Sequence, residues 1–192
     1  MSDKWKEYFE KTKDAKPRSL LVKAQELVKQ KNNALDLGSG ALNDVRYLLS
    51  LDFKHIVAVD KTSIEKDILE HFLSPRLSYV ISRFEDFTFV ENNFDLINAQ
   101  YSLPFIQKKD FDKVFKEIVN SLKIGGIFTG QLFGTKDGWN TDRLDMTFHT
   151  ADEAKKLFSG IKLIEFREEE NDKPTALGEP KHWHVFHFIA EK

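Results

Sequence analysis

The sequence predicts an α/β fold, a Rossmann-like three-layer sandwich around a seven-stranded, mostly parallel sheet whose last strand is antiparallel. Three observations predict it. Short apolar strand patterns alternate with helical patterns along most of the chain. A Gly-Ser-Gly turn follows the first strand at residues 38–40. Two strand-like runs end the chain with only a short link between them, which predicts an antiparallel pair because a parallel pair needs a long crossover.

Hydrophobic periodicity and turn-forming residues predict the helices and strands in the first half of the chain. Leu20, Leu21, Ala24, Leu27 and Val28 recur at helical spacing after Pro17, which predicts an amphipathic helix over about 17–30. Buried strands are expected where short apolar runs end in turn residues, and helices where a polar cap precedes a mixed pattern. The predicted strands are 34–37, 55–59, 77–82 and 94–99, and the predicted helices are 43–51 and Ser63 to about Phe72.

The second half follows the same logic. An apolar stripe predicts a helix over about 110–121, ended by Gly125-Gly126 before a strand at 127–133. Thr150 is expected to cap a short helix to Phe158, with Glu153 in capping-box position. The closing strands are predicted at 161–168 and 182–190, joined by residues 171–180.

Length and composition bound the organisation and the possible partners. With 192 residues and 41% hydrophobic residues, the chain is expected to form a single domain over 1–192, with a helical lid or cap at 1–31 and a Rossmann-like core at 32–192. The 29 basic residues balance 31 acidic ones, so no nucleic-acid partner is expected. Residues 1–7 carry charges of both signs and no long apolar run follows, so we expect a soluble, cytoplasmic protein without a membrane partner.

The absence of cysteine excludes disulfides, thiolate metal sites and a cysteine nucleophile. Such a nucleophile is the group used in carbon-5 methylation of cytosine. The composition therefore removes one class of nucleic-acid chemistry and is compatible with a reducing compartment.

The glycine turn lies where open α/β sheets bind ligands, at the carboxyl end of the first strand. Gly38 and Gly40 let the backbone approach a ligand closely, and Asp60 ends the next strand, where an acid accepts hydrogen bonds from ribose hydroxyls. A nicotinamide-binding oxidoreductase shares this layout, but Asn43 stands where its third glycine should be. Asp36 disfavours a pyrophosphate and suits the cationic sulfonium and amino group of S-adenosylmethionine.

Several motifs in order resemble those of class I S-adenosylmethionine-dependent methyltransferases, over about residues 34–133. They are Leu35–Gly40, Val59-Asp60, Phe84–Phe87, Phe94–Ala99 and Leu122–Phe128. Three further segments, Tyr101–Phe105, Gly130–Gly134 and His182–His187, resemble a small bacterial family of tellurite-resistance-type methyltransferases. This resemblance implies methyl transfer to a small molecule, with a thiol or a chalcogen oxyanion such as tellurite as the acceptor, and S-adenosylhomocysteine as the product.

The resemblance also implies roles for residues of the cofactor site. The loop at Gly38, Ser39 and Gly40 would meet the methionine part, together with Asp36, and Asp60 would meet the ribose. The stretch Phe84, Glu85 and Asp86 would meet the adenine, with Asn98 and Ala99 beside the methionine chain. One departure is that Arg83 stands where many members carry an acid at the end of the third strand, so Glu85, Asp86 or the backbone must serve there.

The acceptor site is less specified. Tyr101 and Phe105 either line it or pack within their loop, and the motif at Gln131 adds a further substrate-binding candidate. If the amino-terminal segment covers the site, Tyr8 and Arg18 join them; the alternative is a short helix packed on the core with a solvated basic face.

A base is needed only for an acceptor that arrives protonated, and the candidates for it are Tyr101, His182 and His184. The two histidines share one face of the last strand but lack a third ligand, so no metal is expected. Because no base is obvious, a non-catalytic sensor or scaffold that binds S-adenosylmethionine is an alternative function. The oligomeric state is expected to be a monomer or a homodimer.

Overall fold

The computed structural model describes residues 3–64, 74–141 and 145–192. Within them the α-helices are α1 (Asp3–Thr12), α2 (Ser19–Gln25), α3 (Asn43–Ser50), α4 (Lys108–Ser121) and α5 (Ala151–Lys156), with single 3₁₀ turns at Phe84–Asp86 and Leu103–Phe105. The body of the helix predicted from Ser63 to Phe72 lies outside the described residues. No helix of the described ranges combines the length and apolar character needed to cross a bilayer.

The strands form one mixed sheet, which confirms the predicted fold class. They are β1 (Asn33–Leu37), β2 (His55–Asp60), β3 (Leu77–Ile81), β4 (Phe94–Ala99), β5 (Leu122–Gly134), β6 (Phe148–His149), β7 (Lys162–Pro174) and β8 (Pro180–Glu191). The order is β3-β2-β1-β4-β5-β8-β7, and β8 is antiparallel to both of its neighbours. The two-residue β6 pairs with the end of β5 and was not predicted.

The reversal of chain order between β3 and β4 places a crevice at the carboxyl ends of β1 and β4. Strand β1 lies between β2 and β4 and pairs in parallel with both. A doubly wound sheet binds ligands in the crevice outside the strand ends at such a switch point. The glycine turn after β1 therefore lies in the expected place.

Two elements are bounded differently from the prediction. Helix α2 ends at Gln25 because the chain tightens into i→i−3 hydrogen bonds, with the Leu27 amide donating to the Ala24 carbonyl at 3.1 Å. The Gly125-Gly126 pair does not end α4, which stops at Ser121; it lies inside β5, where the register to β4 shifts. Gly125 has φ +76° and donates its amide to the Lys192 carbonyl at 2.6 Å.

The predicted capping box is confirmed. The Thr150 hydroxyl accepts from the Glu153 amide at 3.3 Å, and the Glu153 carboxylate accepts from the Thr150 amide at 2.8 Å. The final hairpin is longer than predicted, because β7 and β8 remain paired up to Pro174 and Pro180. This extension carries the tip of the hairpin toward the amino-terminal helix.

The sheet is buried on both faces by different helices. One face packs under α4 and α5 through a cluster that includes Phe111, Phe115, Phe128, Phe158 and Phe188. The other packs under α1, α2 and α3 through a cluster that includes Phe9, Leu21, Val45, Leu48 and Phe53. Each fully buried side chain of this size contributes about 1.5–3 kcal/mol of transfer free energy, so the two clusters hold the strand ends rigidly in register.

Candidate functional site

The glycine turn after β1 is shaped by its neighbour across the sheet. Gly38 has φ +78°, and a Cβ built on it would lie 2.4 Å from Cβ of Ser102, which no side chain tolerates. The Ser102 hydroxyl in turn donates to the Leu37 carbonyl at 2.6 Å. The amides of Gly38 and Ser39 both donate to the Val59 carbonyl. The turn is thus fixed by backbone contacts that only glycine allows at position 38.

Asp60 ends β2 and lies beside this turn. Its side chain is buried, with Oδ2 accepting from the Gly40 amide at 3.0 Å and Oδ1 accepting from the Thr62 amide at 2.8 Å. A carboxylate has about four lone-pair sites, so both oxygens retain the capacity to accept a hydroxyl hydrogen. The predicted ribose acceptor is therefore oriented by the loop it was expected to accompany.

Asp36 is buried at the end of β1 with half of its hydrogen-bonding capacity unused. Its Oδ1 accepts from the Asn98 amide at 2.6 Å, while Oδ2 has no partner among the described residues. Burial raises the pKa of Asp36 well above its ordinary value, and the carboxylates of Asp44 and Asp60 raise it further, although the Asn98 bond opposes them. A buried, unpaired carboxylate oxygen among other acids is a site for a cation that also donates hydrogen bonds.

Asn98, near the end of β4, joins two of these acids. The second bond of its side-chain amide goes to Oδ2 of Asp44 at 3.1 Å, and Oδ1 of Asp44 accepts from the Arg18 backbone amide at 2.9 Å. Ala99 follows at the buried strand end, and the hydroxyl of Ser39 is a further buried atom without a partner within the described ranges. The predicted residues of the methionine region therefore come together.

A chain of side-chain amides connects this region to Tyr101. The Asn98 oxygen accepts from Gln100 at 2.7 Å, the Gln100 oxygen accepts from Gln131 at 2.8 Å, and the Gln131 oxygen accepts from the Tyr101 backbone amide at 2.8 Å. Gln131 is buried on β5. Since every amide in the chain is bonded at both ends, the network fixes the position of the loop that follows β4.

The predicted adenine region forms a 3₁₀ turn over Phe84–Asp86. Phe84 is half-buried against the core, and Asp86 is exposed. Arg83, the departure from the family pattern, forms an ion pair with Glu85 at 3.2 Å. Arg83 is therefore paired with Glu85, one of the groups expected to replace the missing acid. Asp86 and the backbone of this turn are less engaged than Glu85.

Helix α1 lies over the glycine turn. A Cβ built on Gly40 would lie 4.0 Å from atoms of Trp5 and of Tyr8, whose rings stack with centroids 5.1 Å apart. Phe9 anchors the helix in the core, and the side chain of Asn43 donates to the Thr12 carbonyl at 2.6 Å. Tyr8 is thus placed against the glycine turn, and Asn43, which replaces the third glycine of a dinucleotide fingerprint, holds α1.

Tyr101 follows β4 and lies in a cluster of aromatic rings. Its backbone has φ +56°, and its ring packs edge-on against Phe133, Trp183 and His187, with centroids 6.0–6.3 Å away. The guanidinium of Arg18 lies 5.2 Å from the Tyr101 ring centroid. Burial raises the pKa of Tyr101, so its hydroxyl is protonated near neutral pH. Tyr101 and Arg18, predicted separately, form one surface.

Phe105 lies at the rim of the same cluster. It is 42% exposed, its ring centroid is 6.1 Å from that of Trp139, and the Lys61 ammonium lies 5.7 Å from its centre. This placement differs from loop packing, which would bury the ring. Phe105 therefore contributes an apolar surface that is open to solvent.

The two predicted base candidates on β8 lie on the opposite face of the strand from Tyr101. His182 is partly exposed, with Nδ1 2.8 Å from Asp172 of the hairpin. His184 is buried, and its Nδ1 accepts from the Lys136 amide at 3.1 Å, so the hydrogen of the neutral ring is on Nε2 and is donated to Glu168 at 2.8 Å. Neither ring contacts Tyr101, and both are engaged with the hairpin.

The side chains of Glu168, Glu170 and His184 lie within 4.8 Å of one another and could hold a metal ion on distance alone. The Lys136 amide blocks this role, because it occupies the Nδ1 lone pair and leaves Nε2 protonated. The histidine nitrogen that faces the two acids is therefore a donor rather than a ligand.

Sequence reasoning missed two features on the Tyr101 side of β8. His187 is buried, burial lowers its pKa, and Nε2 lacks a hydrogen bond among the described residues, although Glu169 lies 3.3 Å away. Lys181 is buried in an ion pair with Asp137. The alternation along β8 places Lys181, Trp183 and His187 on one face, and that pattern was the available signal.

One comparison identifies the family of this chain. Residues 35–130 match the family model described as "Methyltransferase domain". No curated protein matches the sequence. The matched range contains β1 to β4 and most of β5, and therefore the glycine turn, Asp60 and Asn98.

Solved structures share the fold at low sequence identity. TehB from Haemophilus influenzae has a TM-score of 0.74 and 16% identity over 96% of this chain, which spans only 65% of that protein. The 1,6-didemethyltoxoflavin-N1-methyltransferase from Burkholderia thailandensis, solved with S-adenosylhomocysteine, has a TM-score of 0.63 and 18% identity over 91% of this chain and 77% of that one. An S-adenosylmethionine-dependent methyltransferase from Methanosarcina mazei has a TM-score of 0.65 and 18% identity over 88% of this chain and 96% of that one.

Proposed function

Because the chain belongs to the methyltransferase-domain family and is an S-adenosylmethionine-dependent methyltransferase, we propose that it methylates a small molecule, a thiol or a chalcogen oxyanion such as tellurite, in the cytoplasm. The observation that most supports a cofactor site here is the buried Oδ2 of Asp36 beside the glycine turn, which has no partner among the described residues. The amino group of a methionine moiety is a cation with hydrogens to donate, which fits that atom.

We assign the cofactor contacts as follows. Asp36 and the buried Ser39 hydroxyl hold the methionine end, with Asn98 and Ala99 along its carbon chain and with Gly38 and Gly40 admitting it to the backbone. Asp60 accepts the ribose hydroxyls, and Phe84, Glu85 and Asp86 border the adenine. When bound, S-adenosylmethionine supplies an electrophilic methyl group on a sulfonium. The protein orients this group and excludes water from it.

The acceptor surface in this proposal is formed by Tyr101, Arg18, Phe105, Tyr8 and Gln131. Arg18 is exposed and lies over the Tyr101 ring, so it offers a cation at the mouth of the site to an anionic acceptor. A thiolate or a chalcogen oxyanion arrives with its lone pair free and needs no base, in agreement with the engagement of His182 and His184 elsewhere. The tellurite part of the proposal rests on the resemblance of residues 101–105, 130–134 and 182–187 to tellurite-resistance-type methyltransferases. TehB from Haemophilus influenzae shares the fold of this chain.

Residues 1–31 act as a lid over a core at 32–192 in this account. Helix α1 contacts the glycine turn through Trp5 and Tyr8. It is tied to the tip of the final hairpin by the exposed ion pair of Lys4 with Glu179 at 3.1 Å and by a 3.2 Å bond from the Lys11 ammonium to the Leu177 carbonyl. Exposed ion pairs contribute about 0–1 kcal/mol each, so these contacts oppose opening only weakly. Opening for cofactor exchange must also release Phe9 from the core and break the Asn43–Thr12 bond.

The proposal is tested by transfer of radiolabelled methyl from S-adenosylmethionine to tellurite, selenite, an aromatic thiol and catechol. We expect turnover of at least one anionic acceptor, and a lower kcat/KM for it in Arg18→Gln than in the matched control Lys16→Gln, a nearby exposed cation. Cofactor binding without any product would instead identify a sensor or scaffold. Turnover that is equal in the two variants would remove Arg18 from the acceptor site.

A further inference from the structure

A lysine and an aspartate form a fully buried ion pair next to the acceptor surface. The ammonium of Lys181, on β8, donates to Oδ2 of Asp137 at 2.7 Å, and their side chains are 2% and 0% exposed. Asp137 lies in the loop that follows β5. The pair therefore links the antiparallel end of the sheet to that loop, away from solvent.

Three aromatic rings surround the same ammonium. It lies 3.4 Å from the ring centre of Trp183, 4.1 Å from that of Trp139 and 4.6 Å from that of Phe133. Cations are attracted to the faces of such rings, and more strongly where water is excluded. The arrangement fixes both tryptophans relative to one charged atom.

Asp137 also accepts two backbone hydrogen bonds. Its Oδ1 accepts from the Trp139 amide at 3.0 Å, and its Oδ2 accepts from the His184 amide at 3.3 Å in addition to Lys181. A buried ion pair is often no more stabilising than apolar residues of the same shape, so stability alone does not explain it. What the pair provides is a defined geometry for the rings around it.

That geometry reaches Tyr101 directly. The Trp183 ring packs against the Tyr101 ring with centroids 6.0 Å apart, and Phe133 packs against it at 6.3 Å. The backbone amide of Tyr101 donates to the Gln131 side-chain oxygen, which fixes the backbone at this position. The buried amide chain thus fixes the backbone of Tyr101, while the Tyr101 ring packs on two members of the Lys181 box, defined as Phe133, Trp139 and Trp183.

We propose that the Asp137–Lys181 pair is a positioning device for the acceptor surface, which sets Tyr101 through Trp183 and Phe133 without touching the acceptor. This rests on the proposed function, because Tyr101 is assigned to the acceptor side there. Loss of the pair should misplace the acceptor while leaving the cofactor site, at Asp36 and Asp60, intact.

The test compares two double variants. Asp137→Asn/Lys181→Met removes both charges of the box and keeps the side-chain volumes, so that no lone charge remains buried. The matched control is Asp95→Asn/Lys123→Met, which removes a second lysine–aspartate pair, 2.9 Å apart, at the opposite end of β4. Asp95 also accepts backbone hydrogen bonds, from Asn32 and Asn33, as Asp137 does from Trp139 and His184.

Three readouts separate the outcomes. We expect kcat/KM for the best acceptor of the panel to fall about 10- to 100-fold in the box variant and to stay unchanged in the control, because small misplacements near a reacting centre cost this much. S-adenosylhomocysteine affinity should be unchanged in both variants. In protein labelled with fluorotyrosine, the ¹⁹F resonance assigned by Tyr101→Phe should shift in the box variant alone.

An unmoved Tyr101 resonance in the box variant overturns the proposal, whether or not an acceptor has been found. Loss of cofactor affinity together with activity also overturns it, because the pair would then support the whole fold. Failure of the wild-type protein to bind S-adenosylhomocysteine would instead contradict the proposed function itself.

Discussion

The side-chain amide of Asn98 donates to Oδ1 of Asp36 at 2.6 Å, between two groups that are 0% and 2% exposed. This bond turns the carboxyl so that its other oxygen remains without a partner among the described residues. The same amide nitrogen also bonds Asp44, so one residue sets the orientation of two acids. The orientation of the Asp36 carboxyl group is therefore set by a residue of β4 rather than by β1 itself.

Asn98→Ala should weaken S-adenosylhomocysteine binding by about tenfold or more, because the buried Asp36 and the partly buried Asp44 each lose a donor and Asp36 loses its orientation. Asn120→Ala, at the end of α4, is the control and should bind normally. Isothermal titration calorimetry measures both. Equal affinity in the two variants would show that Asn98 does not act on the cofactor site.

Cofactor affinity should depend on pH through Asp36. Burial raises the pKa of Asp36 most, and the nearby acids Asp44 and Asp60 raise it further. Asp36 of the free protein therefore stays protonated at pH values above the ordinary aspartate pKa of about 3.9. A cationic amino group favours the ionised form, so binding releases that proton. Affinity for S-adenosylhomocysteine should rise as the pH rises through the elevated pKa, while the contribution of Asp36 to the stability of the free protein is lost over the same range.

Calorimetry in two buffers of different ionisation enthalpy detects the proton release directly. Asp36→Asn should abolish the dependence of the observed enthalpy on the buffer, together with the pH dependence of the affinity that comes from this group. An enthalpy that is the same in both buffers for the wild-type protein would count against a protonated Asp36.

Gly38→Ala should destabilise the fold by about 1–3 kcal/mol, because the residue has φ +78° and its new Cβ would lie 2.4 Å from Cβ of Ser102. Ser102→Gly in the same chain should restore part of the loss, since it removes the atom in the way. Gly160→Ala is the control, with no atom within 4 Å of the built Cβ. Urea unfolding measures all three, and a neutral Gly38→Ala would contradict the described turn.

His149 should make the protein less stable in mild acid. Burial lowers its pKa from 6.5, and the ring packs 4.7 Å from that of Phe111. The unfolded chain then binds the proton more readily, so the stabilisation is complete above the unfolded pKa and is lost as the pH falls through it toward the lower folded pKa. The free energy of unfolding should drop less between about pH 7.5 and about pH 5.5 in His149→Gln than in wild type.

His55→Gln provides the comparison for that measurement, because His55 is only partly buried and bonds the Ser78 hydroxyl. The free energy of unfolding should drop less between these two pH values in His149→Gln than in this comparison variant. A His149→Gln profile that is parallel to wild type would show that His149 is not the group that titrates.

The fold, and the proximity of the residues proposed to bind the cofactor, could be predicted because their signals are local. A strand that ends in a Gly-Ser-Gly turn, an acid at the end of the next strand and a capping box at Thr150 each depend on a few neighbouring residues. The prediction that Gly125-Gly126 ends a helix was wrong because it used the same kind of local signal. The helix-ending pattern of this pair is local, whereas its actual setting in β5 depends on the pairing of Gly125 with Lys192 at the far end of the chain.

The acceptor side could not be predicted because it depends on which face of β8 meets which loop. Alternation separated His182 and His184 from His187, but only the packing of Trp183 on Tyr101 shows which face borders the site. The pairing of Lys181 with Asp137 links residues that are 44 positions apart in the chain. Neither residue carries a sequence pattern that distinguishes it from a solvent-exposed charge.

The most direct test of the account is calorimetric titration of S-adenosylhomocysteine into the wild-type protein and Asp60→Ala. Asp60 is fixed by the Gly40 and Thr62 amides and is assigned the ribose hydroxyls. We expect saturable binding to the wild type, and an affinity about tenfold or more lower in the variant, because charge-assisted hydrogen bonds are lost. No binding to the wild type at about 1 mM ligand, or equal affinity in the variant, would contradict it.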